Sequence, residues 1–173
     1  ELDVPDLHFG KLAWGEETGM DYDIKIARTM ALTAIDRLLQ FMQYHEVNQI
    51  LLPWGNDFYN VDTEAETTTK GTPQQEDTRW KKTFREGRIL TQQIIDLCSQ
   101  YAPTDVVFIP GNHDKQRLYF LGECMVAAFS KNPNVTIDNG PRTRKYRQYK
   151  NVLLGFCHGS DEKAEKLPTI MSM

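Results

Sequence analysis

No apolar run in the chain approaches the roughly 20 residues that a membrane-spanning helix needs, and the first residues show no signal-peptide pattern. No membrane partner is expected. Cysteine is scarce: Cys98, Cys124 and Cys157 are odd in number and widely spaced. They form neither a zinc-type pair nor a disulfide framework, and read as reduced thiols of a cytoplasmic protein. An excess of basic charge is also missing. The net charge of −4 argues against a protein that coats nucleic acid by charge alone, while leaving room for a locally basic groove. There is no internal repeat and no low-complexity tract.

What is present suits one globular domain, taken here as residues 1–173. A chain of this length buries about 70% of the surface that its unfolded form exposes. Leu2 and Val4 alternate with polar neighbours, which predicts a short strand before Pro5. Residues 21–45 lack glycine and proline, and Ile24, Ala27, Ala31, Ile35, Leu38, Leu39 and Met42 fall on one helical face. The segment NQILLPW then reads as a buried strand. Residues 60–79 are polar and form a long loop, of the kind that is usually functional or mobile. A helix follows over about 80–101, then a strand over Val106–Ile109 and a helix over 115–130. VTID and RTRKYRQY read as strands, with Lys150 and Asn151 turning the chain into VLLGFCHG. Alternating strands and helices in the first two thirds predict an α/β fold with a mainly parallel sheet. The last third looks antiparallel.

Each apolar strand runs out into residues able to bind metal. The four exits are Asp6-Leu7-His8, Gly55-Asn56-Asp57, Gly111-Asn112-His113-Asp114 and His158-Gly159. Ligands of α/β sheets bind outside the carboxyl ends of strands, so four such exits can meet in one place. In an extended segment Asp6 and His8 point to the same side and can reach one ion. The Asp57 carboxylate has two oxygens and can bridge two cations. Asn112 adds an oxygen ligand without charge, and His158 adds a nitrogen suited to manganese, iron, zinc or nickel.

DLH, GND, GNHD and CHG, in that order over residues 6–159, resemble the four successive motifs of the calcineurin-like metallophosphoesterases. The long loop and the form GNDFYN are most similar to the DNA-repair exonuclease branch. The resemblance implies a two-layer β-sandwich flanked by helices, built around a centre of two divalent ions, with manganese preferred over iron, zinc or nickel. It implies that Asp6 and His8 bind the first ion, Asp57 bridges both, and Asn112 and His158 bind the second. His113 would be the general acid, oriented by Asp114. The implied activity is hydrolysis of phosphate esters, with phosphodiesters or DNA as substrate. A phosphomonoesterase or nucleotide hydrolase with the same centre is the alternative, as is a scaffold that has lost metal competence.

Two departures from that pattern matter. Motif two is usually Gly-Asp, and here Asn56 intervenes. An amide bridges two cations poorly, which favours Asp57 as the bridge and leaves Asn56 as the alternative. The family's fifth motif, Gly-His-x-His, has no counterpart, because no histidine occurs in the fifteen residues after His158. The chain is therefore expected to be a fragment whose parent continues past Met173 with the missing ligands. Finally, Arg142, Arg144, Lys145 and Arg147 lie in a basic stretch interleaved with tyrosines. They read either as a nucleic-acid contact surface or as charges that blunt an edge strand.

Overall fold

Thr104–Ile109 (β2) is buried at all six positions. Its Val106, Val107, Phe108 and Ile109 form an unbroken apolar run, the pattern of a strand covered on both faces. At about 1.5–3 kcal/mol for each large side chain fully buried, this run anchors the centre of the sheet. Ile50–Gly55 (β1) and Val135–Asp138 (β3) pair with β2 on either side, both parallel, in the order β1-β2-β3. Parallel neighbours need crossover connections. Trp80–Tyr101 (α3) lies on the path from β1 to β2, and Lys115–Phe129 (α4) connects β2 to β3. The computed structural model describes residues 1–161 and 163–171. Glu162 lies outside them, as do Ser172 and Met173 at the end of the one-domain range read from the sequence.

The three long helices sit where the sequence placed them, the first and last of the three with trimmed ends. Ile24–Met42 (α2) begins at Ile24 because the Asp23 carboxylate accepts the Ile26 amide at 2.7 Å and caps the first turn. Its buried residues are Ile24, Ala27, Ala31 and Ile35. In α3 the buried set includes Leu90, Ile94, Ile95 and Cys98, while Ile89 and Leu97 face outward. The Trp54 indole donates to Thr91 Oγ1 at 3.0 Å and locks α3 onto β1. A short helix, Gly15–Thr18 (α1), precedes α2, and Leu167–Met171 (α5) ends the described chain.

Two expectations need correction. Leu2–Val4 forms no strand. It makes one ladder-like bond, from the Leu2 amide to the Leu51 carbonyl at 2.9 Å. RTRKYRQY is strand only over Lys145–Tyr149 (β4), which pairs antiparallel with Val152–Phe156 (β5) through the expected turn. Lys150 supplies that turn's left-handed residue, with φ of 52°. The architecture is thus α/β, with a three-stranded parallel sheet, a separate two-stranded antiparallel sheet and surrounding helices. Among the described residues no helix is long and apolar enough to cross a membrane.

Charge fastens the hairpin to the sheet. Arg147 grips Asp105 of β2 with two bonds, of 2.6 and 3.1 Å, and reaches Asp138 of β3 at 3.1 Å. Lys145, only 5% exposed, donates to Asp138 at 2.8 Å and to the Gly140 carbonyl at 2.6 Å. Burial disfavours charge on Asp138, but bonds from Lys145, the Gly140 amide and Arg147 outweigh it and hold the carboxyl down to about 2. A folded value below the ordinary 3.8 means stability that is present above that pH and lost as pH falls towards 2. Arg147→Met leaves buried Asp105 without its partner. Urea unfolding at pH 7 should show a loss of about 1–3 kcal/mol, and an unchanged midpoint would show that the hairpin is not held this way.

Candidate metal centre

The centre begins with backbone in an unusual conformation. Asp6, His8, Asn56 and Asp57 have φ of 54°, 45°, 53° and 65°. Left-handed backbone costs a residue with a side chain roughly 1–2 kcal/mol, and such residues cluster where function needs them. The extended Asp6–His8 segment expected from the sequence is therefore wrong. The two side chains are brought together by a left-handed turn. That turn is locked to the next one, because the Asp6 amide donates to the Asn56 carbonyl and the His8 amide to the Asp57 carbonyl, both at 3.0 Å. Leu7, Phe9 and Phe58 are buried behind the donors. Gly111 admits the Asp57 side chain at a point that a β-carbon would occupy, and Gly55, at φ of 115°, leaves the same kind of room for the Ile109 carbonyl.

The structure brings the five expected ligands together. Donor atoms of Asp6, His8 and Asp57 all lie within 4.8 Å of one another. On the other side, His158 Nε2 is 2.7 Å from Asn112 Oδ1 and 3.3 Å from Asp57 Oδ2. Asp57 is common to both groups. The left-over residue of motif two has its own place: Asn56 Oδ1 lies 2.6 Å from His158 Nδ1. An oxygen there favours a proton on Nδ1 and leaves Nε2 as the nitrogen directed at Asp57 and Asn112, the orientation in which a histidine serves a metal. Burial, and then the nearby His113, push the His8 imidazole down, which favours the neutral form that coordinates cations.

This donor set fits divalent cations on its own chemistry. Asp57 is 3% exposed, and among the described residues no lysine or arginine pairs with it or with Asp6. A buried carboxylate without a cationic partner is costly, and a divalent ion offsets that cost. Mixed carboxylate, amide and imidazole donors suit manganese, iron, zinc or nickel. Each group supplies three protein side chains, fewer than a closed structural site uses.

His113 is placed beside the ligands, but not by Asp114. Its ring meets that of His8 edge to face with centroids 4.6 Å apart, and its amide donates to Asp57 Oδ1 at 2.7 Å. Nδ1 lies 2.8 Å from the Asn60 carbonyl. A carbonyl can only accept, so Nδ1 carries the proton of that bond and Nε2 is the nitrogen left for chemistry. Asp114, fully buried, instead accepts the Tyr59 amide at 2.8 Å and the Gly111 amide at 3.3 Å, and burial pushes its carboxyl up to about 8. Its role is to tie the two motif turns together, and the expected contact with His113 is replaced by Asn60.

Asn60 is the residue that the sequence reading missed. It is 1% exposed, and its side chain donates to the Gln75 carbonyl at 3.0 Å and to Glu76 Oε1 at 3.1 Å. The available signal was a polar residue three positions after Asp57. Contacts of this kind fasten residues 60–79 to the rest of the fold. Asp62 Oδ1 accepts the amides of Gln116 and Arg117 at the start of α4, and the Thr69 amide donates to the Asn112 carbonyl at 3.3 Å. Lys115 pairs with Asp161 at 3.3 Å, which ties the segment after His158 to the same helix start.

Of the basic stretch, Lys145 and Arg147 are committed to Asp105 and Asp138, while Arg142 and Arg144 are exposed. Arg144 and Asn56 share a mainly apolar cavity of about 510 Å³ with Pro53, Ile109, Leu154 and Phe156. Asp6, His8, Asp57, Asn112, His113 and His158 do not line it, whereas Asn56, which is bonded to His158, borders both the cavity and the donor cluster. Comparison of the chain with protein-family models, with curated proteins and with solved structures finds no match.

Glu76 gives the surroundings of Asn60 a pH signature. Burial, opposed by bonds from Asn60 and Thr83, raises its carboxyl from 4.5 to about 7. A raised folded value means stability that is present below pH 4.5 and lost as pH rises through 7. Glu76→Gln should flatten that slope and make the protein more stable than wild type at pH 8, as read from urea midpoints at pH 5 and pH 8. Parallel slopes for the two proteins would exclude this account of Glu76.

Proposed function

We propose that the chain is a phosphoesterase domain that uses two divalent ions, manganese in preference to iron, zinc or nickel, to hydrolyse phosphodiesters, with DNA as a candidate substrate. The observation that carries this reading is the shared position of Asp57, with Asp6 and His8 on one side and Asn112 and His158 on the other. On this reading the parallel sheet is one layer of a two-layer sandwich and the β4–β5 hairpin belongs to the second. Cys98 and Cys124 are not in a disulfide, which accords with the cytoplasmic setting of this reading.

Asp6, His8 and Asp57 would hold one ion, and Asp57, Asn112 and His158 the other. Bound there, such ions supply positive charge against the phosphoryl oxygens and lower the pKa of water, which provides a nucleophile at neutral pH. The chain supplies the rest. His113, with Nδ1–H fixed on the Asn60 carbonyl, can present a protonated Nε2 to the departing alkoxide. The Asp57 carboxylate, gripped by the His113 amide, keeps the acid and the ligands in one rigid frame. The three-donor groups favour modest metal affinity, and this is the observation behind a second reading, a scaffold with weakened metal binding.

With manganese chloride the protein should hydrolyse bis-p-nitrophenyl phosphate, and do so faster than p-nitrophenyl phosphate. Asp57→Asn should abolish both metal binding and turnover. His113→Ala should keep manganese and lose about 10²–10⁴-fold in rate on an alkyl diester. Manganese-independent turnover, or wild-type turnover by Asp57→Asn, would refute the phosphoesterase reading. Preference for the monoester would move the assignment to the phosphomonoesterases.

A further inference from the structure

The turn that presents Asp6 and His8 is clamped by a residue outside all four motifs. The Tyr22 hydroxyl donates to the Leu7 carbonyl, between the two candidate ligands. The other end of the same peptide unit, the His8 amide, donates to the Asp57 carbonyl at 3.0 Å. Both poles of one rigid peptide plane are therefore held, one from each side. The next plane is held as well, through the Lys11 amide on the His8 carbonyl at 2.9 Å and the Phe9 amide on the Phe58 carbonyl at 2.6 Å, and the Pro5–Asp6 plane is held by the Asp6 amide on the Asn56 carbonyl at 3.0 Å.

The clamp opposes a specific relaxation. Asp6 and His8 both sit at positive φ, a conformation disfavoured for residues with side chains. Rotation of the Leu7–His8 peptide would let His8 return to negative φ. It would also break the His8–Asp57 bond and release the backbone tie that fixes His8 beside Asp57. Tyr22 is itself firmly placed for the task. Its backbone exchanges two hydrogen bonds with Ala13, at 2.9 and 3.0 Å, it immediately precedes the Asp23 cap of α2, and it packs against the core. Burial raises the phenol's pKa, so it remains a donor at neutral pH.

We infer that Tyr22 is a positioning residue that holds the Asp6–Leu7–His8 turn in its ligand-presenting conformation, and so sets the affinity of one of two cation sites. The part about cations rests on the reading of Asp6 and His8 as ligands given above.

Tyr22→Phe removes the hydroxyl and keeps the ring that packs on the core. Titration with manganese chloride, followed by electron paramagnetic resonance, should show one of two bound ions weakened about tenfold and the other unchanged. Asp6→Ala and Asn112→Ala identify which is which. In the metal-free protein, hydrogen exchange at the Asp6 and His8 amides should speed up at least tenfold, with β2 amides and the melting temperature in chelator unchanged. Equal weakening of both ions, or binding and exchange identical to wild type, would overturn the clamp. If wild type and Asp57→Asn both fail to bind manganese, the proposed function falls. The exchange experiment then still decides whether Tyr22 fixes the turn.

Discussion

The centre is organised around one buried acidic side chain. The Asp57 carboxylate lies at the end of β1, almost without access to water, and faces two candidate ligand groups rather than a lysine or arginine. Its Oδ1 takes the His113 amide and its Oδ2 lies near His158, while its backbone carbonyl holds the His8 amide. Three of the four strand exits are thus registered on a single residue. Two further contacts of this kind are made by Asn56, which holds Asp6 through its carbonyl and His158 through its amide side chain. Two adjacent residues in left-handed backbone set the positions of nearly everything else.

A rigid sheet makes such strained turns tolerable. The parallel pairing of β1 with β2 aligns Gly55 with Ile109, so both strands end at the same level and release their loops side by side. Asp114 then joins those loops through the Tyr59 and Gly111 amides. The long loop is fastened at Asn60, Asp62 and Thr69. The energy that buries the apolar run of β2 therefore offsets several unfavourable backbone conformations at its mouth, a common arrangement at functional sites.

Much of this was legible in the sequence because it depends on local pattern. The apolar run of β2, the helical periodicity of α2 and α3, and the Lys150-Asn151 turn all express short-range rules. The five candidate ligands stood out in the sequence for a different reason, since carboxylate, amide and imidazole groups at strand ends have few structural uses. The parts that were not legible depend on distant partners. The left-handed turn at Asp6 and His8 is set by carbonyls about fifty positions away. His113 is held by a backbone carbonyl, which leaves no mark on residue identity, so the conspicuous neighbour Asp114 was given its role. Lys145 and Arg147 look like free cations until Asp105 and Asp138 are seen beneath them.

The sharing of Asp57 between two cations is the claim on which the functional account rests. Crystals grown with manganese chloride and measured at the manganese absorption edge test it directly. The account predicts two anomalous peaks about 3.5–4 Å apart, each within bonding distance of an Asp57 oxygen, one beside Asp6 and His8 and the other beside Asn112 and His158. Manganese bound elsewhere with no peak at Asp57, or a single peak that leaves His158 and Asn112 bonded only to each other, would contradict it.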